Sequence, residues 1–286
     1  MASARDFQRQ INTVKNQARV FSALQTVSSV KFRKAEARVK RARPYAENVE
    51  QMMRDVAGSA SGDLPLLTGR EVSRVAVCTL TADRGLAGGF NAQVLRRTVR
   101  LRDEKDPGAL QVASGRKAVA FFRFRRVELA EVFTGFTDNP TYEKAREIGR
   151  TLTHLFDEEE ADEVYLVYNR FESVLNQRPV VKRLLPVAQE EDEEEGNGPS
   201  YMEYVPDAET VLKRLVPRYV ETMVWQALLE GAAGEHGARM TAMKNATDNA
   251  NDLVSDLTLQ MNKARQAQIT QEILEIVGGA EALSAG

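Results

Sequence analysis

From Phe7 to Val56, apolar residues recur at alternating steps of four and three: Phe7, Ile11, Val14, Ala18, Phe21, Gln25, Ser28, Phe32, Ala35, Val39, Ala42, Ala46, Val49, Met53 and Val56. Only Gln25 and Ser28 in that series are polar. A one-sided stripe at this spacing is the seam of a coiled coil rather than the face of a globular helix. A helix over residues 4–57 would be roughly 80 Å long at 1.5 Å per residue, more than a compact domain of this size needs. Pro44 is the one objection, since an interior proline removes a hydrogen bond and bends the helix. Gly58 to Gly69 (GSASGDLPLLTG) reads as a break and connector.

The other end of the chain mirrors the first. Leu212, Val216, Tyr219, Met223 and Ala227 form one stripe; Met240, Met243, Thr247, Ala250, Val254, Leu257, Met261, Ala264 and Gln268 form a second. Between them lie Gly231, Gly234 and Gly237. Each helical glycine costs about 1 kcal/mol against alanine, so the spacing predicts a weak point or kink there. Pro217 is a second local weakness.

The middle alternates between short β-rich apolar runs (75–80, 110–113, 164–168) and helical stretches (91–105, 116–122, 141–156), with a last strand possible at 178–186. That alternation implies an open α/β sheet. Two one-sided stripes at opposite ends of one chain are each other's nearest partner. The expected fold class is therefore α/β: a long antiparallel coiled coil of the N- and C-terminal helices plus a central open, Rossmann-like α/β domain. The expected divisions are 1–57 for the first helix, 58–70 for a connector, 71–188 for the α/β domain, 189–206 for an acidic loop and 207–286 for the second helix. The acidic loop carries the run Glu190–Glu195.

Little in the sequence points to chemistry. The balance of 39 Lys or Arg against 41 Asp or Glu implies no global attraction to nucleic acid or anionic lipid. Cys78 is the sole cysteine, so no internal disulfide forms and a reducing compartment is expected. No apolar run reaches the roughly 20 residues that span a bilayer. Arg5, Asp6 and Arg9 stand where a signal peptide would need an apolar core. The turn Asp83–Asn91 (DRGLAGGFN) is either a structural turn or a phosphate loop. Its glycine spacing is not the dinucleotide fingerprint, and no Lys-Ser/Thr follows for a P-loop. Cys78, His154 and His236 are too far apart in the chain for a metal-ligand spacing, and no nucleophile elbow is present.

Two features suggest partners. Lys31, Arg33, Lys34, Arg38, Lys40, Arg41 and Arg43 crowd one segment with Glu36 as its only acid. They form either a solvated outer face or a surface for an acidic partner. Leu24, Val27 and Val30 put apolar groups off the seam where Gln25 and Ser28 interrupt it. That is either local drift of the seam or a second apolar surface.

Three sets of residues resemble the gamma subunits of F-type ATP synthases. Ile11–Asn16, Lys31–Ala35 and Arg43–Glu47 resemble that family's first helix, and Asp83–Asn91 its central turn. Glu235–Met240, Ala242–Asn249, Asn262–Ala267 and Ile269–Gly279 resemble its C-terminal helix. The resemblance implies a central-stalk rotor subunit that couples proton-driven rotation of the c ring to conformational cycling of the catalytic beta subunits. It implies alpha, beta, epsilon and c-ring partners, no cofactor, no metal, no catalytic residue, no nucleic acid and no membrane insertion. It implies peripheral attachment at the cytoplasmic face of the plasma membrane. Partner contacts are expected at Leu24, Lys31, Arg33, Lys34, Arg239, Arg265, Gln266, Thr270, Glu272, Ile273 and Ile276. Ala87 stands where many members have cysteine, and Leu24 where methionine is common. The rival readings are a structural coiled-coil protein of another complex and a nucleotide-binding α/β protein.

Overall fold

The computed structural model describes residues 4–59, 69–187 and 208–284. Most of the expected connector and the acidic run Glu190–Glu195 lie outside them. The elements in chain order are α1 (Ala4–Ser59), β1 (Val75–Leu80), α2 (Phe90–Lys105), β2 (Leu110–Ser114), α3 (Arg116–Phe124), β3 (Leu129–Phe133), α4 (Tyr142–Asp157), β4 (Glu163–Phe171), β5 (Gln177–Leu185) and α5 (Ala208–Ser284).

The five strands form one sheet in the order β3-β2-β1-β4-β5, parallel except for the β4–β5 hairpin. Strand β1 is buried along its whole length, as a central strand covered on both faces must be. Val75, Val77, Tyr165 and Val167 face α2 through Val94 and Leu101, while Ala113 meets α3 through Ala118 and Phe122. On the other face Ala76, Cys78, Val112, Val164 and Leu166 share one core with α1, α4 and α5. Cys78 is fully buried there, and burial pushes its thiol up to about 12. Strand β3 escapes the sequence pattern because it is an edge strand: Ala130, Glu131 and Val132 are exposed, so no apolar run marks it.

Contacts divide the described chain into two compact units, one of Met1–Val27 with Met240–Gly286 and one of Ser28–Arg239. In the first, Ile11 and Ala18 of α1 and Met243, Ala250 and Leu257 of α5 are the buried seam of a coiled coil. In the second, the same α1 stripe serves a globular core. Phe32 and Val39 join Phe171, Leu229 and Ala233, and Ala46, Val49, Met53 and Val56 join the sheet, α4 and α5. Every residue of the Phe7–Val56 series is buried or half-buried. The periodicity thus marks the buried side of α1 correctly, but from Ser28 onward its cover is more than a lone partner helix.

The glycines do not interrupt α5, which is one continuous helix across Gly231, Gly234 and Gly237. Pro44 likewise lies inside an unbroken α1. One of the glycines is required by close approach: a Cβ on Gly234 would lie 2.9 Å from the Phe90 ring, whereas one on Gly237 would make ordinary contact with the Phe32 ring at 3.5 Å. Gly231 differs: a Cβ there meets nothing within 4 Å and borders a cavity of about 20 Å³. Opposite effects are expected in denaturant unfolding. Gly231→Ala should stabilise the chain by about 1 kcal/mol through helix propensity alone. Gly234→Ala should destabilise it by about 1–3 kcal/mol, because the added methyl overpacks against Phe90. Equal midpoints for the two variants would refute this account of the glycines.

Candidate partner-contact surfaces

The structure divides the basic cluster on α1 between inward and outward tasks. Lys31 pairs with Asp138 in the loop between β3 and α4. Arg38 donates to Asn139 Oδ1 at 2.7 Å and Pro140 O at 2.6 Å, and lies 5.5 Å over the Trp225 ring. Arg43 donates to Phe171 O at 3.1 Å and sits 3.6 Å from the buried Glu230 carboxylate. These three fasten α1 to the sheet domain. Arg33, Lys34 and Arg41 are exposed, and they are the members of the cluster that face outward without an ion pair among the described residues.

Arg239 is also committed inside the chain. It is 8% exposed, donates to Glu235 Oε1 at 2.5 Å and to Gly85 O at 3.1 Å, and meets His236 Nδ1 at 3.4 Å. An arginine only donates, so His236 Nδ1 accepts and its Nε2–H donates to Asp138 O at 3.2 Å. A chain of contacts therefore runs from α5 through His236 to Asp138 and on to Lys31 of α1. Of the expected partner contacts, Lys31 and Arg239 are the two whose charges are used internally. No local pattern marks these pairings, because Glu235 and Asp138 are ordinary acids until the fold brings them to their partners.

The glycine turn is pinned by its own acid. The Asp83 carboxylate accepts from the amides of Arg116 (3.0 Å), Gly135 (2.8 Å) and Thr137 (3.1 Å) and from the Thr137 hydroxyl (3.1 Å). Burial works to raise its pKa, but these bonds outweigh burial and hold it below the ordinary carboxylate range. The amide of Phe90, at the start of α2, donates to Ala87 O at 3.2 Å. Such a turn locks β1 to α2 and to the β3–α4 loop.

The remaining expected contacts lie on exposed helix. Leu24 is half-buried, beside exposed Val20, Val27 and Val30 on α1. On α5 every residue from Arg265 to Ala280 is exposed, including Gln266, Thr270, Glu272, Ile273 and Ile276. Ile269, Ile273, Leu274, Ile276 and Val277 add a dense apolar surface there. A monomeric protein rarely leaves such a stretch uncovered.

The contacts around His236 carry a pH dependence. Burial lowers the His236 pKa, Asp138 opposes the shift, and Arg239 and Lys31 reinforce it. Asp138 is also lowered: burial would raise it, but Lys31, His236 and Arg84 prevail. Both folded values lie below the unfolded ones, so the unfolded chain binds more protons and stability falls with falling pH. For His236 the loss begins as pH falls below its ordinary value of 6.5, and for Asp138 it begins below 3.8. His236→Gln is expected to flatten the fall in unfolding midpoint between about pH 7.5 and pH 5. An unchanged slope would show that His236 does not titrate on unfolding.

Comparison with known proteins agrees with the geometry. The family described as ATP synthase matches residues 3–283. The ATP synthase gamma chain of Rubrobacter xylanophilus is 69% identical over 290 residues, covering 100% of both chains. That of Moorella thermoacetica is 47% identical over 285 residues, covering 99% of this chain and 100% of its own. A chain in the Euglena gracilis mitochondrial ATP synthase OSCP/F1/c-ring structure shares the fold at TM-score 0.69 and 18% identity, over 99% of this chain and 95% of that one. A chain of the Tetrahymena thermophila mitochondrial ATP synthase central stalk and c ring does so at TM-score 0.59 and 22% identity, over 79% and 99%. With a family match along almost its whole length, and relatives of that name at these identities, this chain belongs to the gamma chain family of ATP synthases.

Proposed function

We propose that the chain is the central-stalk rotor of an F-type ATP synthase and holds no catalytic group itself. Turned by the c ring, it carries rotation into the ring of alpha and beta subunits and drives the beta sites through their conformations in sequence. The observation that carries this reading is the bare end of α5, where Ile269, Ile273, Leu274, Ile276 and Val277 remain exposed beyond the last half-buried seam residue, Ala264. An apolar helix end of this kind needs a surrounding sleeve. A sleeve that turns about a shaft favours smooth apolar contact over fixed ion pairs, since a buried charge parted from its partner costs about 3–5 kcal/mol.

On this reading Leu24, Arg33, Lys34, Arg265, Gln266, Thr270, Glu272, Ile273 and Ile276 meet the alpha–beta ring. Lys31 and Arg239 serve the contact indirectly by holding the helices to the sheet domain. The domain itself meets epsilon and the c ring. No helix of the described residues is long and apolar enough to cross a membrane. Attachment at the cytoplasmic face of the plasma membrane then runs through the complex. Copurification with alpha, beta and epsilon subunits tests the assignment, and a chain recovered only as a homodimer would favour the structural coiled-coil alternative.

Two further outcomes are expected. Leu24→Lys should lower proton pumping per ATP hydrolysed in reconstituted vesicles while leaving the folding and assembly of the chain near normal. Pumping equal to the unsubstituted complex would sink the idea that Leu24 faces the ring. The purified chain alone should show no ATP binding by calorimetry, because the Asp83 carboxylate stands at the turn and itself takes the neighbouring amides of Arg116, Gly135 and Thr137. Micromolar ATP affinity would restore the nucleotide-binding reading.

A further inference from the structure

The outer layer formed by α2 and α3 carries a charge imbalance that the rotor reading leaves unused. From Arg84 to Val127 there are eleven Lys or Arg against three Asp or Glu, in a chain whose formal net charge is −2. The excess is therefore local. Nine of the eleven are arginine, the cation that protein interfaces favour over lysine.

The imbalance culminates where α3 ends. Arg123, Phe124, Arg125 and Arg126 are all exposed, Phe124 at 88%. The Arg125 guanidinium lies 4.9 Å over the Phe121 ring, which holds it in place. The helix closes with two bonds, from Arg126 N–H to Arg123 O and from Val127 N–H to Phe122 O, each 3.0 Å. This closure puts Arg126 in the left-handed region at φ 59. Glycine is the usual occupant of such a position, because a Cβ there costs roughly 1–2 kcal/mol. Leu86 and Glu159 share this conformation, so the backbone alone singles out nothing; at Arg126 it coincides with a bare phenylalanine and a cluster of exposed arginines.

We infer that the corner Arg123–Arg126 docks an acidic surface of another protein subunit in the assembled complex, with Phe124 entering an apolar recess bordered by carboxylates. One aromatic anchor among arginines is the composition of a protein hot spot. A membrane-surface helix would carry several large apolar residues on its outer face. The exposed face of α3 carries Arg116, Lys117, Ala120, Arg123 and Phe124, and only Phe124 is large and apolar. The inference rests on the reading that this chain works inside an ATP synthase.

The test is to place p-benzoylphenylalanine at position 124, assemble the chain with its complex and irradiate. Assembly with alpha and beta is read first, and failure of the unsubstituted chain to assemble counts against the rotor reading rather than the corner. The expected result is a cross-link to an acidic stretch of another subunit, with its yield reduced at least about fivefold by the pair Arg123→Glu and Arg125→Glu. Arg126→Gly, which relieves the strain, should raise the unfolding midpoint of the purified chain yet lower the cross-link yield. The inference is overturned by a cross-link to residues 188–207 of this chain, by no protein cross-link, or by a yield indifferent to the charge reversals. Arginine-dependent binding of the purified chain to phosphatidylglycerol vesicles would assign the corner to lipid instead. A lower midpoint for Arg126→Gly would remove the argument from strain.

Discussion

The apolar seam of α1 has to be covered along its whole length, and two different structures cover it. Between Phe7 and Val27 the cover belongs to a coiled coil with α5. From Ser28 to Val56 it is a core shared with the sheet, α4 and the first half of α5. The same repeat thus builds a rod in one unit and closes a globular layer in the other. Burial of this kind is non-directional and grows with the apolar area removed from water. It supplies cohesion without fixing where along its axis each helix rests.

Register comes from buried polar groups. Glu230 accepts the amide of Phe171 at 3.1 Å and a bond from Gln226 at 3.1 Å, with Arg43 nearby. His236, Arg239 and Glu235 tie α5 to Asp138 and Gly85, and burial raises the Glu235 carboxyl although Arg239 opposes the shift. Buried charge pairs add little net stability, since desolvation offsets their attraction, but breaking one is severe. A helix slipped by one turn would leave these groups unpaired in a dry interior. The division of labour is clear in the α1 cluster, where Lys31, Arg38 and Arg43 hold the helix in place and Arg33, Lys34 and Arg41 face outward.

The two long helices and four of the five strands were readable from the sequence because their patterns are local and repeated. The buried side of α1 follows from spacing alone. Strand β3 was missed because three of its five residues face solvent at a sheet edge. For the glycines of α5, propensity shows only the cost of each residue to its own helix, not what packs against it. The close approach that requires glycine at 234 comes from Phe90, about 140 positions away in the chain. The same limit hid the internal role of Arg239, whose contact with Gly85 spans 154 residues. The basic α2–α3 layer was present in the sequence but dispersed over two helices and a strand, where no single window makes it conspicuous.

Cys78 has a practical consequence. It is the only thiol in the chain, it sits fully buried in the central strand, and its ionisation is pushed up to about 12. At neutral pH almost none of it is the reactive thiolate, and reagents do not reach it in the folded state. A cysteine introduced at any exposed position would therefore be the sole addressable thiol of the chain, without first removing the native one. A fluorophore, bead or spin label could then be attached at a single known point, which is the handle that observing the motion of individual molecules requires.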